Sequence, residues 1–402
     1  MKLLPFIYAT RNLGRSPMRL VLAVGGSCLV ALLALTGEAF VSGMARAFRS
    51  SAVAENVLLI GAGSEESLER SEVPRGAAGE AIAGISGIRT VAGVSWASSE
   101  VHVALPVLRE GQTLDDGGTS ADLGVVRGIT GVAWSVHPQA KLIAGRAPAQ
   151  GADEAAAGET ALERIGLDSA EVAAQVAHGE PVMIVIDGRP VSVVGVIAAP
   201  GTIIDGEVWM PLQDVLVLTQ RETVSVIVVS LDPRSGSEAA DVELFTQRRP
   251  DLELSTIRES DYYAALGQFF RPVQVMVLAS TALVALGGLL GGLNTMYAAF
   301  AARIRETASL QALGYSRTAI AISMLQESLL ASLSGSLIAI VLGLILLRDA
   351  SIRFSMGSFS LHVDHQAVLA ALGAGLVVGC LGAIFPAFRC LRTPIPTALR
   401  AD

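Results

Sequence analysis

Four stretches of this 402-residue chain contain no Asp, Glu, Lys or Arg: Leu20 to Gly37 (18 residues), Pro272 to Ala302 (31), Ser328 to Leu347 (20) and Gln366 to Phe388 (23). No other feature limits the fold as strongly. A helix rises ~1.5 Å per residue and the hydrocarbon core of a bilayer is ~30 Å thick, so about 20 apolar residues cross it. Each stretch can span, the first by extending through Glu38 to about Val41. At 51% hydrophobic and 16% charged, the chain is also more apolar than a soluble core requires. The first stretch follows Lys2, Arg11, Arg15 and Arg19 but lacks a small-x-small cleavage site, and it outruns a signal-peptide core of ~7–15 residues. It therefore reads as an uncleaved anchor. A lipoprotein cysteine at Cys28 is disfavoured because Gly25 stands where such a motif needs Leu.

Positive charge predicts the orientation. Lys and Arg gather before span one (Lys2, Arg11, Arg15, Arg19), between spans two and three (Arg303, Arg305, Arg317) and after span four (Arg389, Arg392, Arg400). Four spans put those segments on one side, which the positive-inside rule makes the cytoplasm, so both termini are expected there. The other side receives the loop from Arg348 to His365 and the long stretch 45–267. That stretch holds 16 basic and 31 acidic residues, a net charge of −15, which disfavours nucleic acid as a ligand. The acidity reads first as a means of solubility. Cys28, Cys380 and Cys390 lie in or beside spans, so the inserted domain has no cysteine and must be held by its own core.

The expected organisation is residues 1–44 for the N-terminal segment and span one, 45–267 for a large extracytoplasmic domain, and 268–402 for spans two to four. In that last part lie a cytoplasmic loop, 302–317, and a short external loop, 348–365. In the large domain, strands are expected at Val57–Ile60, Gly93–Leu108, Gly124–Ile129, Pro181–Ile197, Thr223–Leu231 and Leu252–Ile257. The strongest signal is a hairpin in which Val182, Ile184 and Ile186 alternate up to Asp187-Gly188, and Val191 and Val193 continue beyond it. Helices are expected at Gly158–Ile165, Pro211–Leu218 and Ser235–Arg249. Interleaved elements of this kind give an α+β domain. Span one is expected to run on from Ala45 towards Val57, and a helix from Ser260-Asp261 to pass into span two with a kink at Pro272. Two such continuous helices would link membrane and domain mechanically.

Enzyme chemistry leaves few traces. The chain has no G-x-x-x-x-G-K-[ST], H-E-x-x-H or G-x-S-x-G, and its two lysines are Lys2 and Lys141. Gly61-Ala62-Gly63 begins like a dinucleotide fingerprint, but Glu66 replaces the third glycine, so a turn is expected. His362 and His365 flank Asp364 without a third ligand, and His102, His137 and His178 are scattered. No catalytic residue and no metal site is assigned.

Within the spans, small residues recur at spacings that allow close helix approach: Gly287, Gly288, Gly291 and Gly292 in span two; Gly335, Ala339 and Gly343 in span three; Gly375, Gly379 and Ala383 in span four. These three helices are expected to pack together and against a second copy, general glycine usage being the alternative. Glu327 is the intramembrane carboxylate, expected to snorkel or to pair with Arg303 or Arg317.

Longer motifs carry a resemblance. Asn294-Thr295-Met296, Arg303-Ile304-Arg305-Glu306, Ala312-Leu313-Gly314 and Glu327-Ser328-Leu329-Leu330 follow one another as N-x-M, R-x-R-E, A-L-G and E-S-L-L do in the FtsX-like/MacB-type ABC transporter permease family. Arg11-Asn12-Leu13 and Ser16-Pro17-Met18-Arg19-Leu20 resemble its opening. Pro386-Ala387-Phe388-Arg389 and Pro396-Thr397-Ala398-Leu399-Arg400 resemble its closing motifs. Gly145-Arg146 and Val193-Val194-Gly195-Val196-Ile197 are similar to the MacB-type periplasmic core. The chain departs where Glu306-Thr307-Ala308 replaces the usual E-I-G, and no ATPase domain precedes span one.

The resemblance implies a permease of the bacterial inner membrane, dimeric with itself or a related permease. A separate ABC ATPase subunit would hold ATP and Mg, and a periplasmic adaptor is a further candidate partner. ATP-driven motion would pass to the external domain and drive export or extraction. The alternative is a regulator that activates an extracytoplasmic partner such as a cell-wall hydrolase without transport. The segment from Ala302 to Gly314 would be the coupling helix. Arg303, Arg305 and Glu306 would present charge to the ATPase and Leu310 and Leu313 would rest at the bilayer, with Gly314 ending the helix. An ordinary positive-inside anchor is the other reading of the same residues.

Overall fold

A computed structural model describes residues 6–15, 17–112, 123–348, 350–354, 357–361, 363–392 and 394. Lys2, Asp115, Asp116, His362 and the closing motif Pro396–Arg400 lie outside these residues. The chain divides into two compact units. One comprises residues 1–42, 271–350 and 361–402; the other comprises 43–270 together with 351–360.

The chain opens with helix α1 (Phe6–Gly14) and the long helix α2 (Pro17–Ser51). The second unit is built on ten strands: β1 (Asn56–Gly61), β2 (Ala97–Arg109), β3 (Leu123–Ile129), β4 (Lys141–Gly145), β5 (Glu154–Gly158), β6 (Val182–Ile186), β7 (Arg189–Ala198), β8 (Glu207–Pro211), β9 (Val226–Ser230) and β10 (Leu254–Arg258). Their order across the sheet is β10-β1-β9-β2-β3-β8-β5-β7-β4, with β6 pairing β7 and β2. Helices α3 (Ala77–Gly84), α4 (Ala133–Val136), α5 (Glu159–Arg164), α6 (Ser169–Ala177), α7 (Leu212–Thr219), α8 (Ala239–Arg248) and α9 (Glu259–Phe269) complete an α+β domain. Its core is aliphatic, centred on residues such as Leu59, Val101, Val126, Ile184, Val193, Ile227 and Val229.

Local chemistry explains the ends of these elements. The β6–β7 hairpin turns through Asp187 (φ 48°) and Gly188 (φ 77°), the paired positive angles of a two-residue turn that follows the twist of the strands. Asp168 caps α6 by accepting from the Ala170 and Glu171 amides. At α9 the structure departs from a continuous helix into span two. Helix α9 stops at Phe269, whose successor Phe270 closes the last turn, and α10 (Arg271–Ala301) begins anew. Pro272 has no N–H to donate to the carbonyl four residues back, and its ring crowds that carbonyl. Gly61-Ala62-Gly63 is a turn, with Gly63 at φ 80°.

The first unit contains α1, residues 17–42 of α2, α10, α11 (Ile304–Ala312), α12 (Arg317–Leu346) and α13 (His365–Leu391). Helices α2, α10, α12 and α13 are long and apolar enough to cross a membrane. Span one is the hub for two of the small-residue rows. A Cβ at Gly335 would lie 2.5 Å from the Val24 carbonyl oxygen, one at Gly343 would lie 2.7 Å from Leu35, and one at Gly288 would lie 2.4 Å from Val30. Span four meets span three, since Cβ atoms at Gly375 and Gly379 would run into the hydroxyls of Ser336 and Ser332. Gly287, Gly291 and Gly292 have no such neighbour within 4 Å. Among the described residues the three cysteines are free thiols.

Candidate coupling site

The short helix α11 lies between spans two and three and is closed at its C-terminal end by its own sequence. Gly314 (φ 91°) takes the left-handed position after the helix; its amide donates to the Gln311 carbonyl at 3.0 Å, and that of Tyr315 to the Leu310 carbonyl at 3.1 Å. This pair of bonds satisfies carbonyls the helix would otherwise leave open. Ser316 then caps α12, accepting from the Ala319 amide at 3.2 Å.

The structure divides the charged set into two groups. Arg303 turns inward: its Nη1 donates to Glu327 at 3.0 Å and its Nε to Glu306 at 2.9 Å. Glu306 also accepts from the Tyr8 hydroxyl at 2.8 Å and from Arg15 at 2.9 Å. Burial pushes the Glu306 carboxyl up, but the bonds from Arg303, Tyr8 and Arg15 outweigh it and hold it below the usual carboxylate range. Burial likewise works against the Arg303 charge, and its two carboxylates more than restore it. Glu306 and Arg303 thus fasten α11 to α1 and α12. Leu310 packs against the buried cluster that includes Phe300, Ile320 and Met324.

Outward-facing positions are Arg305, Ser309, Ala312 and Leu313, all exposed, with Leu313 at 77%. Their spacing of four, seven and eight residues places them on one face of the helix. Leu313 is therefore on the charged, open side of α11, because the inward side is filled by Leu310, Thr307 and Ala308. Tyr8 and Arg15 are the members that sequence reasoning missed. The amphipathic pattern of α1 was their one local signal, and nothing in it points to a partner nearly 300 residues away.

A second polar cluster lies inside the inserted domain. Register places His102, Arg127 and Trp209 side by side on β2, β3 and β8. Arg127 donates to Glu207 at 2.7 Å and to Glu100 at 3.3 Å, and Trp209 Nε1 donates to Glu207 at 2.8 Å. His137 Nε2 faces Glu100 at 3.0 Å, and His137 Nδ1 is 3.8 Å from Glu259. All of these side chains except His102 are at most 3% exposed. Burial pushes the Glu100 carboxyl up, yet the two histidines and Arg127 hold it well below the usual range. His137 is raised, since the neighbouring Glu100 overcomes the burial that disfavours its charge. His102 is lowered by burial and by Arg127. Burial raises Glu259 and Tyr263, and pushes Tyr262 up to about 12. Charges buried this deeply persist only when paired. Arg127 is shared between Glu100 and Glu207, with His137 against Glu100, and the cavity beside them is only about 40 Å³. Among the described residues no group of three or more His, Cys, Asp or Glu is placed to hold a metal ion.

Comparison with known proteins agrees with this architecture. The chain matches the MacB-like periplasmic core domain family over residues 20–244 and the FtsX-like permease C-terminal family over residues 278–395. Among solved structures it is similar to the periplasmic region of MacB from Actinobacillus actinomycetemcomitans, at 13% identity over 53% of this chain and 92% of that one, with a TM-score of 0.38. It is also similar to the extracellular domain of the noncanonic ABC-type transporter YknZ from Gram-positive bacteria, at 13% identity over 50% of this chain and 99% of that one, with a TM-score of 0.34. None of the curated proteins compared matches it.

Proposed function

We propose that this chain, which belongs to the FtsX-like and MacB-type permease family, is the membrane subunit of an ABC-type complex that turns ATP hydrolysis into movement of the inserted domain. Hydrolysis is assigned to a separate ATPase subunit that carries ATP and Mg. The chain itself is a non-catalytic subunit, paired in the membrane with a second copy or a related permease. Its termini and α11 lie in the cytoplasm, and the inserted domain faces the opposite side, where it acts on cargo for export or extraction. A periplasmic adaptor is a further partner.

The observation that carries this reading is the division of α11 into two faces. A loop that merely anchors the chain needs no fixed orientation, yet Arg303 and Glu306 hold this helix through α1 and α12. What remains outward is a charge, Arg305, beside an exposed Leu313, the combination of cation and apolar anchor on which protein interfaces concentrate their energy. Replacing Arg305 by Glu and Leu313 by Asp is expected to leave expression and the melting of the chain unchanged while releasing the ATPase during detergent purification. Copurification of a fully coupled ATPase with that variant would refute the assignment.

A further inference from the structure

Helices α2 and α9 are far apart in sequence, yet the last turn of one and the first turn of the other meet inside the inserted domain at a single carboxylate. Glu259, the first residue of α9, is 2% exposed. Its Oε2 accepts from the Val53 amide at 2.9 Å and from Asn56 Nδ2 at 2.9 Å, the two positions at which the chain leaves α2 and enters β1. Asn56 donates again to the Val136 carbonyl at 2.8 Å, and His137 sets its Nδ1 against Glu259 Oε1 at 3.8 Å. The end of α2 is fixed from the other side as well. Ser51 Oγ accepts from the Ile203 amide at 2.8 Å, and Gln139 donates to the Ser51 carbonyl at 2.9 Å. Phe48 stacks on Phe270, with ring centroids 5.8 Å apart.

A carboxylate buried at such a place is an expensive way to hold a turn, since a neutral side chain would avoid the cost of desolvating charge. Its benefit is rigidity: two hydrogen bonds hold one carboxylate oxygen, the His137 ring faces the other, and His137 carries the connection on to Glu100, Arg127 and Glu207 across β2, β3 and β8. We propose that Glu259 is a positioning residue, the pin of a rigid joint that makes the end of α2 from Gly43 onward and α9 move as one body with the sheet of the inserted domain. Its use in transmitting ATP-driven motion rests on the permease reading above; the joint itself does not.

The test uses the full chain in lipid nanodiscs, with Cys28, Cys380 and Cys390 replaced by Ala and spin labels at positions 49 and 265, both on exposed sites of α2 and α9. The parent chain is expected to give one narrow distance population. Glu259→Gln keeps the shape and one acceptor oxygen but removes the charge that faces His137, and is expected to lose that single population while the tryptophan fluorescence of the domain stays native. Should Glu259→Gln fail to fold, Asn56→Ala combined with Gln139→Ala removes two uncharged side chains of the same joint and is expected to give the same loss. A narrow population in the folded variants, or a broad one in the parent, overturns the joint. With the ATPase bound, ATP is expected to leave the distance between positions 49 and 234 unchanged in the parent chain but to shift or broaden it in Glu259→Gln, which still hydrolyses ATP at the parental rate. A Glu259→Gln distance that stays as constant as the parent's overturns the positioning role, whereas failure of any ATPase to bind the parent chain refutes the permease reading and leaves the joint standing.

Discussion

Replacing Gly335 by Ala should separate spans one and three. A Cβ there would sit 2.5 Å from the Val24 carbonyl oxygen and 2.8 Å from both the Cys28 amide nitrogen and the Ser27 Cβ. Two of these are backbone atoms of a helix and cannot rotate aside. To reach an ordinary contact of about 3.5 Å the two helices must move apart by about 1 Å, and a gap of that size forfeits between a quarter and a half of the dispersion energy of each contact that opens. Overpacking of this kind costs ~1–3 kcal/mol. The helix itself gains, because Ala is favoured over Gly by ~1 kcal/mol in a helix interior. The net expectation is a loss of about 0–2 kcal/mol against the parent, and of ~1–3 kcal/mol against a variant that makes the same helical gain without the clash. Gly287→Ala is the matched control, since its Cβ would meet nothing within 4 Å. Reversible unfolding of the two purified variants in mixed micelles, followed by helix content across a denaturing-detergent titration, measures the difference. A Gly335→Ala chain as stable as Gly287→Ala would refute the packing argument.

Three further outcomes can be checked. Arg303→Met should leave Glu327 without its cation at a site where the two side chains are 17% and 13% exposed, costing ~1.5–3 kcal/mol in the same titration, with Arg303→Lys recovering part of it. In the inserted domain, which holds Trp96, Trp134 and Trp209, melting followed by tryptophan fluorescence should depend on pH in both directions. Glu100 is depressed in the fold, so its contribution is present above its unfolded value near 4.3 and lost as pH falls through the folded one; His137 is raised, so its contribution is full below about 6.5 and lost as pH rises through the folded value. Glu100→Gln should flatten the acid limb and His137→Gln the alkaline limb, and limbs that survive these changes would place the titration elsewhere. Finally, on a cysteine-free background, an impermeant thiol reagent applied to intact cells should label a cysteine at 234 or 115 and spare one at 305; labelling at 305 alone would invert the orientation.

Span count, helix ends and the strongest hairpin were legible because each depends on residues close together in the chain. Desolvating a charge in lipid penalises one segment at a time, so four charge-free runs become the four helices α2, α10, α12 and α13. Alternation before Asp187-Gly188 fixes a turn that needs two positive φ angles, and Gly314 and Ser316 close and open helices by local hydrogen bonds. Other elements gave no local signal. Ala155, Ala156 and Ala157 have helical propensity yet form β5, where sheet packing needs small side chains, and β8 is buried along its whole length, so it shows no alternation. Tertiary structure alone decided which charges meet. Glu100, Arg127, His137, Glu207 and Glu259 are unremarkable in sequence, and become one buried network because the fold brings β2, β3, β8, the end of α4 and the start of α9 together in an interior where a charge persists only when it is paired. The same holds for Glu306, which meets Tyr8 and Arg15 from nearly 300 residues away, and for span one, whose backbone at Val24 and Cys28 is what Gly335 accommodates. Periodicity reports which face of an element avoids water; the partner on that face is a property of the whole fold.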